Sequence, residues 1–244
     1  NSPLIVMPDA DLNQVAEAAA VTAFANAGQV CISTQRLIGV GGIYGDLLDV
    51  LSARVAERAT LHQVREFASL SLGDRLAYES HDVLTALTWV AARTSRLRLM
   101  TSVLCLPIYK EGIVAKQVAS LDVLSKGRFS LGLGLGGRES DFVVAPTPFD
   151  RKGARFEAQI ETMRRIWRGE PAFDGSMAVG PVPYSPGGPE VIIGGFVDAA
   201  LRRAGRVADG VRSFAFATDP QIHLDRYAVV QAAWDEAGRP GRPR

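Results

Sequence analysis

The sequence predicts an α/β protein built from parallel strand–helix units. From about residue 65 onward, short apolar runs typical of buried strands alternate with amphipathic stretches of roughly 10–14 residues that are typical of helices. The length of 244 residues suits either one α/β barrel or two small domains. The alternation fits both a (β/α)8 barrel and a doubly wound sheet, and a short αβ segment precedes it.

The first 60 residues contain two predicted strands, each followed by a predicted helix. The apolar run 4–7 predicts a short buried strand. Asp9 or Asp11 can cap the helix that follows it. Residues 37–40 are predicted as the second strand, and the apolar spacing over 43–58 predicts an amphipathic helix.

The rest of the chain repeats the strand–helix order. Strands are predicted at 67–72, 97–103, 129–133, 191–193 and 210–217. Helices are predicted at 83–92, 113–124, 156–167 and 199–207, and a loop or excursion rich in Pro and Gly at 169–189. This makes five or six strand–helix units, whereas a closed barrel of this kind has eight.

Composition narrows the function classes. The net charge of +1 provides no overall field that would attract nucleic acid, and the basic end at 239–244 is predicted to be a solvated tail. No apolar run reaches the roughly 18–20 residues of a membrane span. Two cysteines are too few for a disulfide framework, which favours a reducing cytoplasm. We therefore expect a cytoplasmic protein with a small-molecule substrate, no nucleic acid or membrane partner and no metal site.

A glycine-rich run follows the predicted strand at 129–133. Gly132, Gly134 and Gly137 match the G-x-G-x-x-G spacing of dinucleotide-binding loops. Polar residues, Arg138 to Asp141, follow in place of an apolar helix face. The run is therefore more typical of a strand end where two backbones pass closely than of a dinucleotide site.

One cysteine lies just after a predicted helix end. Gly28 closes that helix and Cys31 follows at a turn, and such a thiol is more often a core residue than a nucleophile. Its surroundings, residues 1–12, 26–31 and 35–38, resemble the catalytic segment of the aldehyde dehydrogenase family. The resemblance implies that Cys31 lies at the nucleophile position. The Glu that this family places before the segment, and its NAD domain, are absent from the chain, so aldehyde dehydrogenase activity is not expected.

Three further motifs comprise residues 121–129 with 132–137, residues 149–157, and residues 192–195 with 208–210. In their order and spacing they resemble the luciferase-like monooxygenase family, which includes FMN enzymes and deazaflavin (coenzyme F-420) enzymes. The resemblance implies a TIM-type barrel with an excursion, here incomplete or irregular, and a site at the carboxyl ends of the strands. We expect an aldehyde-dehydrogenase-like fragment at 1–62 and a luciferase-like domain, truncated at both ends, at 63–244. The implied activity is that of an oxidoreductase, a monooxygenase with FMN or a dehydrogenase with the deazaflavin, that transfers hydride at the ring N5.

The resemblance also implies the cofactor-binding residues. The loop after the strand at 191–193 would bind the cofactor phosphate, although it could also be a plain βα turn. The peptide joining Ser102 and Val103 would be a non-proline cis bond that backs the ring. The implied cofactor-binding residues are Thr101, Ser102, Val103, Gly194, Gly195, Phe196 and Val197.

The catalytic position departs from the family. Asp74 ends a strand where many relatives have Asp-His, and here the second residue is Arg75, whose guanidinium cannot pass a proton near neutral pH as an imidazole can. Arg75 is expected either to pair with an anionic substrate or cofactor tail or to form a salt bridge with Asp82 or Glu79. His81 is a proton-donor candidate, although such a residue is more often a cap or a surface residue.

Two departures from the family leave other functions open: the residue at position 137, and the number of strand–helix units. Gly137 stands where sugar-phosphate dehydrogenases of the family carry an acid, so that activity is not expected. The alternatives are an inactive chimeric or truncated fragment, a homo-oligomer that closes the barrel between chains, and a thiol enzyme that uses Cys31. The residues do not choose between FMN and coenzyme F-420.

Overall fold

The structure is a computed structural model that describes residues 2–6, 11–16, 34–39, 69–213 and 220–244. The chain divides into two compact units, Asn1–Leu70 and Ser71–Arg244. Cys31, the predicted helix at 43–58 and the end of the predicted strand at 210–217 lie outside the described residues.

The first unit contains a parallel strand pair. Strand β1 (Ser2–Val6) pairs with β2 (Thr34–Gly39), and Ile5 is in register with Ile38. Residues 12–16 are helical, and the Asp11 carboxylate accepts hydrogen bonds from the Asn13 and Gln14 amides at 2.9 and 3.3 Å. The structure thus confirms both predicted strands and makes Asp11 the cap.

The second unit is a parallel α/β layer structure. Its strands are β3 (Ser69–Leu72), whose first two residues precede the unit boundary, β4 (Arg98–Thr101), β5 (Leu104–Cys105), β6 (Phe129–Gly134), β7 (Glu190–Gly194) and β8 (Gly210–Arg212). Its helices are α1 (Val83–Arg93), α2 (Glu111–Ser125), α3 (Glu139–Val144), α4 (Lys152–Trp167), α5 (Asp198–Val207) and α6 (Pro220–Glu236), and a 3-10 turn spans Leu106–Ile108.

The strands form one sheet in the order β3-β4-β6-β7-β8, with β5 also paired to β6. The pairs from β4 to β8 are parallel, with Leu131 beside Val191 and Ile193 beside Val211. Every residue of β6 is buried, as expected for a central strand covered on both faces. Within the described residues the sheet does not close on itself, so the predicted incomplete barrel is confirmed.

The motif at 121–129 builds turns in the fold. Lys126 and Gly127 both have positive φ, 57° and 74°, and they end α2. Arg128 then donates hydrogen bonds to the carbonyls of Ala91 and Leu97 at 2.9 Å, which caps the end of α1. Asp122 is fully buried and accepts hydrogen bonds from the amide and hydroxyl of Ser185, at 2.7 and 3.0 Å. The motif therefore fixes α1 and the 169–189 excursion.

Three predictions about secondary structure were wrong. The strand predicted at 97–103 is divided into β4 and β5, because the chain turns at Ser102 and Val103. Helices α3 and α6 were missed. Helix α3 has only six residues, of which only Asp141 and Phe142 are buried, too few for an apolar period. In α6 the apolar residues are not confined to one face, since Leu224 is 61% exposed.

The prediction that residues 239–244 form a solvated tail holds only in part: residues 240–242 and 244 are exposed, but part of the backbone is bound to the rest of the unit. The Val211 amide donates to the Arg244 carbonyl and the Arg244 amide donates to the Asp209 carbonyl, both at 3.0 Å. The Tyr227 hydroxyl donates to the Pro243 carbonyl at 2.9 Å. The end of the chain therefore lies along β8, where it pairs with the Val211 amide and with the Asp209 carbonyl just before the strand.

Candidate active site

A pocket of about 290 Å³ lies at the carboxyl ends of the parallel strands. The loops after β3, β4 and β6 form its walls. It is lined by Gly73, Asp74, Arg75, Ser102, Val103, Cys105, Gly136, Gly137, Arg138 and Asp141. Four residues predicted from the sequence, namely Asp74, Arg75, Ser102 and Val103, therefore meet at one pocket, where parallel α/β sheets place their sites.

Asp74 follows β3 and is held by hydrogen bonds from two residues. The Cys105 amide donates to Oδ2 and the Tyr109 hydroxyl donates to Oδ1, both at 3.0 Å. Burial raises the pKa of Asp74 above its ordinary value, and these two hydrogen bonds partly oppose the rise. The carboxyl group thus keeps a fixed orientation at the pocket and holds its proton to a higher pH than an exposed aspartate.

Arg75 has a different partner from the two expected. Its Nε lies 3.7 Å from Asp141 Oδ2, and its guanidinium lies over the Tyr78 ring at 5.0 Å from the ring centre. The prediction of an ion pair with Asp82 or Glu79 was wrong, because the Asp82 carboxylate caps α1 by accepting the Thr85 amide at 2.7 Å. The Asp141 carboxylate is fixed in turn by the Ala77 amide, at 2.7 Å. His81, just before the cap, is exposed.

The Ser102–Val103 peptide is cis, as the resemblance implied. The Val103 side chain packs between two strand ends: a Cβ built on Gly134 would lie 2.5 Å from its Cγ2, and one on Gly194 would lie 2.7 Å from its Cγ1. Thr101, unlike Ser102 and Val103, does not contribute to the pocket wall. It is fully buried and its hydroxyl donates to the Gly132 carbonyl at 2.7 Å, so it ties β4 to β6.

The glycine-rich run allows close contacts at this end of the sheet. A Cβ on Gly132 would overlap the Thr101 carbonyl, and a Cβ on Gly136, where φ is 71°, would overlap Cys105 Sγ. Gly137 has open space around it. Lys152 donates to the Gly136 carbonyl at 2.8 Å and holds the loop to α4. The close-approach interpretation of this run is confirmed.

The loop after β7 leads into α5. The Gly195 amide donates to the Arg212 carbonyl at 3.1 Å, so this backbone group of an implied cofactor-binding residue is engaged with the sheet. Helix α5 begins after Val197, whose side chain makes no capping hydrogen bond. Phe196 and Val197 are 58% and 55% exposed. The Ala200 amide donates to the Val197 carbonyl at 2.9 Å. The Asp198 and Ala199 amides precede this first hydrogen bond of the helix, which makes the terminus suited to an anion.

Three residues of the site were not found from the sequence. Tyr109 comes from the 3-10 turn, Asp141 from the short helix α3, and Cys105 from β5. Burial, with Asp74 and Asp141 nearby, raises the pKa of the Cys105 thiol to about 12. Cys105 is only 6% exposed, so it packs as an uncharged core group. No local sequence pattern marks these residues, because their roles come from contacts with residues distant in the sequence. Cys105 and Tyr109, for example, contact Asp74, which lies 31 and 35 positions before them.

Comparison with known families agrees with this architecture. The family model described as luciferase-like monooxygenase matches residues 48–244, so the chain belongs to that family. A model described as aldehyde dehydrogenase family matches residues 1–69. The two matches overlap, so the predicted boundary between residues 62 and 63 stays a prediction.

Curated relatives and solved structures extend the comparison. An uncharacterized protein of Mycobacterium tuberculosis is 30% identical over 205 residues, which cover 78% of this chain and 71% of the relative. An F-420-dependent glucose-6-phosphate dehydrogenase of Nakamurella multipartita is 31% identical over 211 residues, covering 78% of this chain and 59% of the relative.

Among solved structures, the coenzyme F-420 dependent tetrahydromethanopterin reductase of Methanopyrus kandleri has a TM-score of 0.60 at 17% identity and 98% coverage of this chain. The oxygenating constituent of 3,6-diketocamphane monooxygenase of Pseudomonas putida, in complex with FMN, has a TM-score of 0.62 at 15% identity and 99% coverage. At these identities the likeness supports the fold alone. This chain spans 62% and 64% of those two structures.

Two further observations concern the described residues only. None of their helices has the length and hydropathy that crossing a lipid bilayer requires. No group of three or more His, Cys, Asp or Glu side chains in these ranges is arranged to hold a metal ion.

Proposed function

We propose that this chain is a flavin- or deazaflavin-dependent oxidoreductase that transfers hydride at the ring N5 and moves a proton through Asp74. The observation that carries the proposal is the pocket in which Asp74 and the Ser102–Val103 peptide meet at the carboxyl edge of the sheet. Membership of the luciferase-like family supports the cofactor class, and relatives named for F-420 or FMN support both cofactors equally.

The loop after β7 fits a cofactor phosphate. Helix α5 has ten residues, and its N-cap side chain makes no hydrogen bond to the Asp198 and Ala199 amides, which suit an anion. Gly194 lies against Val103, so the phosphate loop and the ring-backing segment are adjacent. One feature opposes the anion: Asp198 adds a negative charge in the first turn of α5. We assign phosphate binding to the backbone amides at the start of α5, which follow Phe196 and Val197.

The remaining roles belong to the pocket residues. Ser102 and Val103 present backbone and a methyl surface against which a planar ring can stack, and the ring, when bound, accepts or donates the hydride. Asp74 gives or takes the accompanying proton, because it lines the pocket and its pKa is raised. Arg75 keeps Asp141 in place and supplies positive charge, and no proton passes through it. Gly137 provides no acid, so a sugar phosphate is not the proposed substrate.

A fluorescence titration of the purified chain with FMN, and separately with coenzyme F-420, tests this proposal. Saturable binding of at least one cofactor is expected. The variant Val197→Asp should weaken that binding by charge repulsion while it keeps a good helix cap. Val182→Asp makes the same change at a site that is 75% exposed in the excursion, and should leave binding unchanged.

Three results would count against the proposal. Absence of saturable binding to either cofactor would leave the chain as an inactive fragment that retains only the family fold. Equal weakening by Val197→Asp and Val182→Asp would mean that the phosphate lies elsewhere. An exposed apolar face and concentration-dependent association without cofactor binding would favour the alternative of a homo-oligomer that closes the sheet between chains.

A further inference from the structure

We infer that Tyr109 is a positioning residue that orients the Asp74 carboxyl group and tunes its proton affinity for the reaction in the pocket. This inference rests on the proposed function and adds to it a residue that no motif of the sequence indicated. Tyr109 acts through Asp74, since it does not itself line the pocket that Asp74 faces.

The geometry of Asp74 depends on one short segment. Its two oxygens accept hydrogen bonds from the Cys105 amide and the Tyr109 hydroxyl, each at 3.0 Å. A backbone amide and a side-chain hydroxyl on opposite oxygens fix both the position and the rotation of a carboxylate. Of these two donors, only the hydroxyl can be removed by substitution.

Tyr109 is itself held from two sides. Its amide donates to the Leu106 carbonyl at 3.0 Å, and its carbonyl accepts from Gln159 Nε2 at 2.8 Å. Gln159 belongs to α4 and is only 5% exposed. The ring packs beside the buried cluster of Cys105, Ile108 and Phe142. The hydroxyl therefore meets Asp74 from a fixed position.

The pKa of Asp74 is set by burial, nearby carboxylates and two hydrogen bonds, of which the one from the Tyr109 hydroxyl can be removed by a single substitution. Asp82 and Asp141 both raise the pKa of Asp74, whereas Arg75 is engaged with Asp141. Burial and the nearby Asp74 raise the pKa of Tyr109, which keeps the phenol protonated. Tyr109 thus stays a donor to the ionised carboxylate and favours the ionised form.

Proton movement in this pocket is assigned to Asp74. The neighbouring Arg75 guanidinium cannot pass a proton near neutral pH, and no histidine is among the described residues that line the pocket. Burial and the two neighbouring carboxylates alone would keep Asp74 protonated to a higher pH. The Tyr109 hydrogen bond opposes that rise in the pKa and holds the carboxyl group in one orientation, so it sets the pH range over which Asp74 accepts and releases a proton.

The test measures the pKa of Asp74 directly in the cofactor-free chain, by a carbon-13 NMR titration of the Asp carboxyl signals. The Asp74 signal is assigned from its loss in Asp74→Asn. In Tyr109→Phe, which removes only the hydroxyl, the pKa of Asp74 should rise by about one unit. Tyr227→Phe is the control, because it removes a hydroxyl that donates to the Pro243 carbonyl. An unchanged pKa of Asp74 in Tyr109→Phe would overturn the inference.

A second variant keeps the test decisive if Tyr109→Phe folds poorly. Site-specific 3-fluorotyrosine at position 109 retains the hydroxyl and makes it a stronger donor, so the pKa of Asp74 should fall. A purely structural role for Tyr109 would leave the pKa of Asp74 unmoved in the fluorinated chain, which would also overturn the inference. Because no cofactor is present, failure of cofactor binding would contradict the proposed function without altering either result.

Discussion

The Val103 side chain lies directly against the backbone of Gly194, where a Cβ would stand 2.7 Å from Val103 Cγ1. This contact joins the residue after the cis peptide to the strand end that opens the proposed phosphate loop. Two segments that are 91 positions apart, from 103 to 194, therefore form one surface at the carboxyl edge of the sheet.

The first prediction tests this contact. Gly194→Ala should lower the free energy of unfolding by about 1–3 kcal/mol, because the added methyl overlaps a packed side chain. Val103→Ala removes the overlapping methyl groups, so the double variant should lose less stability than the two single variants together. Urea unfolding of the four chains measures the cycle. Strictly additive losses would show that the two residues are not in contact.

The second prediction concerns two neighbouring glycines of the pocket. Gly136→Ala should destabilise the chain by about 2 kcal/mol or more, because φ is 71° there and the methyl would overlap Cys105 Sγ. Gly137→Ala is the matched control, since nothing lies within 4 Å of its added Cβ. Thermal unfolding of both variants provides the comparison. Similar losses at the two positions would contradict the described geometry of the loop.

The third prediction concerns thiol reactivity. Cys105 should resist iodoacetamide at pH 8, because burial raises its pKa to about 12 and leaves 6% of the residue exposed. Peptide mass spectrometry after timed alkylation measures the modification of each cysteine. Modification of Cys105 as fast as in the urea-unfolded chain would contradict the prediction. The same experiment tests the thiol-enzyme alternative, in which alkylation of Cys31 abolishes activity.

The fourth prediction concerns stability and pH. The folded-state pKa of Asp74 lies above its ordinary value of 3.8, so its contribution to stability is fully present below that value and is lost as pH rises through the folded pKa. Asp74→Asn cannot titrate. The free energy of unfolding of the natural chain, minus that of Asp74→Asn, should therefore be larger at pH 4 than at pH 8. A constant or opposite difference would show that the pKa of Asp74 is not raised.

Much of the fold could be predicted because strands and most helices have local periodic patterns. Strand β6 and helix α4 follow directly from apolar spacing. Helix α3 and the tail that ends at Arg244 could not be predicted, because their stability comes from distant backbone groups and not from their own sequence. The Val211 amide, for instance, finds its partner 33 positions later, in Arg244.

The site was only partly predictable for a related reason. Asp74, Ser102 and Val103 were identified through a family resemblance, and the structure brings them to one pocket. Tyr109 and Asp141 carry no motif, and their importance comes from side-chain contacts that the chain makes only when folded. The ion-pair partner predicted for Arg75 was wrong for the same reason, since the observed partner, Asp141, is 66 positions away in the sequence.

The most direct test of the central claim is a charge series at the start of α5, measured with FMN and with riboflavin, which lacks the phosphate. Asp198→Asn should tighten FMN binding and Ala199→Glu should weaken it, each by about two- to fivefold. Riboflavin binding should not change. The free energy of unfolding should change in the opposite direction to the FMN affinity: it should fall in Asp198→Asn and rise in Ala199→Glu, because a carboxylate stabilises a helix N-terminus. With FMN bound saturably by the natural chain, equal effects on FMN and riboflavin, or none on either, would contradict phosphate binding at this loop. If only coenzyme F-420 binds, the same series is measured with it, and unchanged affinity across the variants would contradict the claim.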